Sequence, residues 1–334
     1  MKVRWGLIGC GEITEKTVVP VMKKLRNTEL LAVMGRDKER TEKFASKHQI
    51  PRYCTTVEDI LADAELQAIY VATPHAAHHD IVIKAAKAGK HVLCEKPLGV
   101  TGRECSEMIQ ACKENGVRLG VSYYRRFFPQ VQKMKEMIES GSLGRITLFR
   151  VDVCGGRLDA SPKDAHYWMT LSKMGGGVLL DLGSHRIDLV LYLGGPIQQV
   201  AALLTNSVMR WETDDQASLL CQLESGAQAV VTCRYNSEVS SDHFEIHGTE
   251  ATLVADSLGA GLLRIDRGPS KGQEVVQVTP PSSADRDLLL IDSFSKSLID
   301  HSDFLIPGEE GLKTNLVMDA AFRSAREHRI CDVT

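Results

Sequence analysis

The sequence predicts an α/β protein of two domains: a doubly wound parallel sheet over residues 1–122, then an α+β domain over residues 123–334 with a large, mainly antiparallel open sheet. Three observations carry this. The chain has 334 residues, and at roughly 100–200 residues per domain that length accommodates two. Its amino-terminal third alternates apolar strand-like runs with amphipathic helical ones, the pattern of a parallel sheet covered by helices. From about Phe149 onward, strand-like runs follow one another across short turns, which pairs neighbours antiparallel.

Composition narrows the possibilities. Forty Lys and Arg against 43 Asp and Glu leave a formal charge of −3, with 25% charged and 43% apolar residues; these are ordinary globular values and exclude a disordered chain. A chain of this size buries about three quarters of its unfolded surface and needs no disulfide or metal staple. The nine cysteines are odd in number, scattered from Cys10 to Cys331 and without a C-x-x-C pair. They indicate neither a disulfide framework nor a zinc ribbon, and point to a reducing, cytoplasmic setting. No stretch approaches the ~20 apolar residues of a membrane helix, and no basic block marks a nucleic-acid surface. The expected partner is a small molecule.

Val3 to Ile8 is an apolar run leading into Gly9-Cys10-Gly11-Glu12-Ile13-Thr14, which reads as a strand feeding a glycine turn into a helix. In a dinucleotide site the first glycine permits the tight turn, and the second lets backbone N–H groups approach the pyrophosphate. Gly9 and Gly11 fill these places, while Thr14 stands where a small residue usually lets helix and strand pack closely. Taken alone, the motif fits an ordinary glycine turn equally well. Its position matches a first Rossmann strand and leaves no room for a signal peptide. Pro20 falls inside the helical run, so a short first turn should precede a helix restarting near it. Further βα units follow, with strands at 29–34, 68–72, 91–94 and 118–122 and helices at 38–48, 56–62, 79–88 and 103–115.

The end of the second strand normally reads the adenosine ribose, by a carboxylate for NAD or an arginine for NADP. Gly35-Arg36-Asp37 stands there. The missing carboxylate at Gly35 and the guanidinium of Arg36 favour NADP; the alternative is that Arg36 opens a solvated charge run and Asp37 turns inward to bind NAD.

Four further segments complete the set: Thr73-Pro74-His75-Ala76-Ala77-His78, Cys94-Glu95-Lys96-Pro97, Tyr124-Arg125-Arg126-Phe127, and Gly175-Gly176-Gly177 with Asp181, His185 and Asp188. In this order and spacing they resemble the Gfo/Idh/MocA family of nicotinamide-dependent sugar and cyclitol oxidoreductases, over the whole chain. The resemblance implies cofactor contacts from Gly9, Gly11, Glu12, Ile13, Arg36, Thr73, Pro74, His78, Glu95 and Lys96. It places Lys96 beside the nicotinamide, with a cis peptide before Pro97. An ammonium there can donate to the substrate oxygen and stabilise a forming alkoxide. Glu95 either tunes that lysine or pairs with it.

Asp181 and His185 are four residues apart, on one face of a helix, and the triple glycine before them suits close approach to a ligand. Histidine titrates near neutrality, which suits it to carry the proton that accompanies hydride transfer. The resemblance thus makes Lys96, His185 and Asp181 the catalytic set: His185 the proton carrier, with Lys96 nearly as strong a contender, and Asp181 the substrate anchor. Arg126 and Trp168 match positions near the substrate. His75, His78 and His79 lack a carboxylate or cysteine at ligand spacing, and no metal is expected.

In the second half, strands are expected at 216–223, 227–234, 244–247 and 251–255, a mobile loop at 270–287 and a final amphipathic helix at 311–328. The resemblance implies dimer or tetramer contacts on the sheet face away from the Asp181–His185 helix. The expected activity is hydride transfer between nicotinamide and a hydroxyl or carbonyl carbon of a sugar, cyclitol or related polyol. The alternatives are a trans-dihydrodiol dehydrogenase, suggested by Arg126-Phe127-Phe128-Pro129, and a dinucleotide-binding regulator without turnover.

Overall fold

A computed structural model describes residues 1–156, 174–209 and 211–334. The chain forms two compact units, Met1–Tyr124 with Pro281–Leu312, and Arg125–Pro280 with Lys313–Thr334.

The first unit holds six strands, β1 (Val3–Ile8), β2 (Thr28–Met34), β3 (Arg52–Cys54), β4 (Ala68–Val71), β5 (His91–Cys94) and β6 (Leu119–Val121), in the order β3-β2-β1-β4-β5-β6. Every pairing is parallel. Parallel strands are covered on both faces, so they read as continuous apolar runs; Trp5, Leu7, Ile8, Tyr70, Val71 and Leu93 are all 0% exposed. The connecting helices are α1 (Val19–Lys24), α2 (Lys38–Lys47), α3 (Val57–Ala62), α4 (His78–Lys87) and α5 (Gly102–Glu114). Polar side chains set where three of them start: Asp37, Thr56 and Thr101 each accept a backbone N–H from the first turn, satisfying donors the helix itself cannot. Pro20 falls at the second residue of α1, behind a wide π turn over Thr14–Val18.

The segment 281–312, which sequence order alone places with the second half, returns to this unit. Its helix α8 (Leu288–Asp300) brings Phe294 to 5.8 Å from the Trp5 ring and 5.0 Å from Phe304. Gly120 makes room: a Cβ there would lie 2.7 Å from Phe304 and 2.8 Å from Phe294.

The second unit carries nine strands among its described residues, in the order β14-β13-β12-β11-β7-β10-β9-β8-β15. They are β7 (Ile146–Cys154), β8 (Ile197–Thr205), β9 (Gln216–Leu223), β10 (Gln228–Arg234), β11 (Ser241–Gly248), β12 (Thr252–Ala255), β13 (Leu262–Asp266), β14 (Gln273–Gln277) and β15 (Cys331–Asp332). Only β7 and β10 pair parallel; the other neighbours are antiparallel. Helix α6 (Pro129–Glu139) precedes the sheet, and α7 (Ser184–Gly194) packs against β7 and β10. Within the region 270–287, expected as a loop, one stretch is a strand. Gln273–Gln277 pairs with β13 across a turn in which Gly268 and Gly272 have φ of +82° and +74°. Flanking Ser, Pro and charged residues hide this short edge strand from a compositional reading. The last long helix, α9, runs Gly308–Glu327.

Candidate active site

Each unit presents one half of the candidate chemistry. In the first, β1 ends in Gly9, whose φ of +117° belongs to glycine and where a Cβ would run into the carbonyl of Ala72. A Cβ on Gly11 would meet nothing within 4 Å, so the second glycine of the turn leaves open space beside the backbone, as a dinucleotide pyrophosphate requires. Thr14 replaces the usual small residue without cost to packing. It is fully buried, opens the π turn, and its hydroxyl donates to Gly11 O at 2.7 Å. Glu12 pairs with Lys16, and Ile13 stays 37% exposed. The residues therefore fit the dinucleotide that the motif implies.

At the end of β2 one Asp37 carboxylate oxygen, Oδ1, accepts the Arg40 N–H at 2.9 Å as the cap of α2. Arg36 is exposed and has no ion-pair partner among the described residues. Arg40, which the motif reading passed over, donates to Cys10 O at 2.8 Å and so lays its guanidinium across the glycine turn.

His78 is wholly buried. Its Nδ1 lies 3.0 Å from Pro97 O and 3.3 Å from Leu98 O, and its Nε2 3.0 Å from Thr73 O. The imidazole thus ties the turn after β4 to the turn after β5, beneath the edge where the resemblance expects a cofactor contact. Burial pushes its pKa down against the pull of those carbonyls. The His75 ring lies 5.7 Å from that of His78, tilted by 57°, and His79 bridges Asp80 and Glu107 at 3.0 and 2.7 Å. Thr73 and Pro74 form the turn between β4 and α4. Lys96 follows β5 and is 8% exposed, with a cis peptide to Pro97. Glu95 accepts the Lys96 backbone N–H at 3.2 Å and the Tyr70 hydroxyl at 2.7 Å.

In the second unit Asp181 lies in a π turn over Leu179–Gly183 and His185, 6% exposed, in the first turn of α7. Two residues that sequence reading missed hold this segment. The Tyr235 hydroxyl donates to Asp181 Oδ2, and the Asp214 carboxylate accepts the N–H groups of Gly177 and Leu179, both at 2.9 Å. Burial nonetheless raises the Asp214 pKa. The triple glycine therefore serves packing as well as turning: a Cβ on Gly177 would collide with Asp214 O, and one on Gly176 would lie 2.8 Å from Leu180.

Arg126 sits 1% exposed with its guanidinium on Asp188, at 2.7 Å from Nη2 to Oδ1, and 4.9 Å over the Tyr192 ring. Phe128 is buried and Pro129 opens α6, so the Arg126–Pro129 run packs and caps this unit. Trp168 lies outside the described residues. Among those described, no group of His, Cys, Asp or Glu could hold a metal ion, and no helix is long and apolar enough to cross a membrane.

A parallel sheet in the order 3-2-1-4-5-6 with a glycine turn after its first strand, followed by a mixed open-sheet unit, is the architecture of a dinucleotide-binding Rossmann protein with a second domain. Comparison with known proteins specifies the family. A model described as "Oxidoreductase family, NAD-binding Rossmann fold" matches residues 3–123, and one for the GFO/IDH/MocA C-terminal domain matches 131–254. The chain belongs to the Gfo/Idh/MocA family of oxidoreductases. It is 30% identical to trans-1,2-dihydrobenzene-1,2-diol dehydrogenase of Mus musculus over 81% of this chain and 80% of that protein. It is also 30% identical to 1,5-anhydro-D-fructose reductase of Ensifer adhaerens, over 75% of each. A solved levoglucosan dehydrogenase, in complex with NADH and levoglucosan, shares the fold along the full length of both chains, with a TM-score of 0.93 at 24% identity.

Proposed function

We propose that this chain is an NADP-preferring dehydrogenase or reductase acting on a hydroxyl or carbonyl carbon of a sugar, cyclitol or related polyol. The observation that carries the catalytic part is that Lys96, Asp181 and His185 all stand in one chain of this family, each on a well-anchored element. When bound, the dinucleotide supplies or takes up the hydride. Gly9, Gly11, Glu12, Ile13, Thr73 and Pro74 hold it, with His78 and Glu95 bracing the turns beneath. Lys96 donates a hydrogen bond to the reacting oxygen and stabilises alkoxide character there. His185 takes the hydroxyl proton in oxidation and returns it in reduction. Asp181, held by Tyr235, accepts from a neighbouring substrate hydroxyl; Arg126 and Trp168 are assigned to the substrate's surroundings.

The NADP preference is supported by Arg36, which is exposed at the end of β2 and has no ion-pair partner among the described residues; Arg40, which donates to Cys10 O, lies close enough to the turn to join it. A reducing, cytoplasmic setting is supported by nine free thiols, seven of them buried. A homodimer or homotetramer is supported by the outer face of the second sheet. There Leu203, Leu220, Val230, Leu262 and Val275, which the strand register places on one side, are 69%, 49%, 38%, 42% and 60% exposed.

The experiment is nicotinamide absorbance during a screen of sugars, cyclitols, anhydro-sugars and trans-dihydrodiols with NAD(H) and NADP(H) in parallel. Turnover of one polyol class is expected. Arg36→Ala should reduce the NADP-over-NAD affinity ratio about tenfold or more, the scale of one lost charge-assisted phosphate contact. Tight dinucleotide binding with silence across the panel would instead favour the regulator.

A further inference from the structure

The connection from β8 to β9 is tied down by side chains at both of its ends. Asp215 is wholly buried, and its carboxylate accepts the N–H groups of Ser207, Val208 and Met209 at 3.1, 2.7 and 2.9 Å. Its backbone carbonyl accepts the Tyr235 N–H at 2.8 Å. Asn206 donates its side-chain N–H to Trp211 O, and Asn236, next to Tyr235, donates to Gln216 Oε1 at 2.7 Å. Asp214 holds the N–H groups of Gly177 and Leu179, as described above. The connection is therefore fixed to the segment that carries Asp181, once through Asp214 and once through Tyr235. A backbone satisfied in this way has little freedom left to lose when a ligand arrives.

The side chain this connection presents is Trp211. Its indole is half-buried and meets the Tyr235 ring edge to face, with centroids 5.8 Å apart and planes at 69°. Tyr235 is itself buried, and its hydroxyl donates to Asp181 Oδ2. One phenol ring thus separates the indole from the carboxylate assigned to a substrate hydroxyl. Small-molecule sites combine an aromatic wall with a few fixed polar groups, and tryptophan suits a place where one side is packed and the other wet. In a six-membered polyol ring the hydroxyls radiate outward, and the C–H groups form a continuous apolar face. An open-chain polyol keeps no such face without freezing its rotations.

We propose that Trp211 is a specificity-determining residue: its indole receives the C–H face of a ring polyol whose hydroxyl is held by Asp181, so that the site takes a cyclitol or an anhydro-sugar ring in preference to an open-chain alditol. The inference rests on the reading of Asp181 as the substrate anchor. Tyr235 joins the two contacts, since its ring edge supports the indole while its hydroxyl aims the carboxylate. The spacing between the polar and the apolar contact is then set by the protein. A rigid ring meets both at once, whereas an open chain must give up several internal rotations to do so.

The test compares 1,5-anhydro-D-glucitol with D-glucitol, which share a carbon chain and differ in ring closure. Each is titrated calorimetrically into the full-length protein saturated with NADPH, a complex in which an alcohol has no hydride acceptor and nothing turns over. The wild type should bind the ring compound about tenfold or more tightly than the open chain. In Trp211→Ala the two affinities should come within about twofold of each other, with NADPH affinity unchanged. Trp211→Phe keeps an aromatic face and should lower the preference about threefold, which serves if Trp211→Ala does not fold. No ring preference in the wild type, or an undiminished preference in the Trp211 variants while Asp181→Asn weakens both polyols, would overturn the proposal alone. Equal weakening of both polyols in the Trp211 variants would also overturn it, by making the indole a support of the anchor only. If Asp181→Asn leaves both affinities unchanged, or the wild type binds neither compound nor myo-inositol, the underlying reading fails and the proposal with it.

Discussion

Tyr235 directs the Asp181 carboxylate through a single hydroxyl. It is 1% exposed, sits just past β10, and its ring lies 5.8 Å from Trp211. A hydrogen bond to a charged group contributes about 1.5–3 kcal/mol. Tyr235→Phe should therefore lower kcat/KM by about ten- to a hundredfold while leaving dinucleotide affinity unchanged, as steady-state kinetics and a binding titration together would read. Asp181, His185 and Lys96 could be proposed from the sequence because each lies within a short run of characteristic neighbours. Tyr235 and Asp214, which hold the Asp181 segment, could not, because each reaches its partner from a remote stretch with no local pattern. His78 was legible as a motif position, yet its contact with three backbone carbonyls appears only once two strand ends lie side by side.

At the level of elements, the two glycine turns look alike in sequence and differ in what they meet. Gly11 faces open space, whereas Gly177 lies against Asp214. Gly11→Ala should leave the melting temperature within a few degrees of wild type and weaken dinucleotide binding about tenfold or more. Gly177→Ala forces a clash with backbone that has nowhere to move, and should destabilise the chain by about 3 kcal/mol or more; a thermal melt distinguishes the two. The parallel strands were readable because burial on both faces writes an unbroken apolar run. Edge strand β14 was not: largely exposed, it has little hydrophobic pattern to show.

For the whole molecule, the second sheet bears α7 on one face and a row of exposed aliphatic side chains on the other. If copies of the chain meet there, Leu220→Asp together with Val230→Glu places charge on two paired, adjacent strands. Light scattering should then report monomer in place of dimer or tetramer, with the far-ultraviolet circular dichroism unchanged. An unaltered mass would reject this face as the contact.

Local order in the chain was enough to read a parallel dinucleotide-binding sheet, a later antiparallel one and the glycine turn between the first strand and helix, because hydrophobic period and turn chemistry act between near neighbours. The return of 281–312 to the first unit, the hold of Tyr235 and Asp214 on the Asp181 segment and the commitment of Arg126 to Asp188 depend on the folded arrangement. Each is settled by which side chain fills a space or satisfies a buried charge, and such partners can be any distance away along the chain.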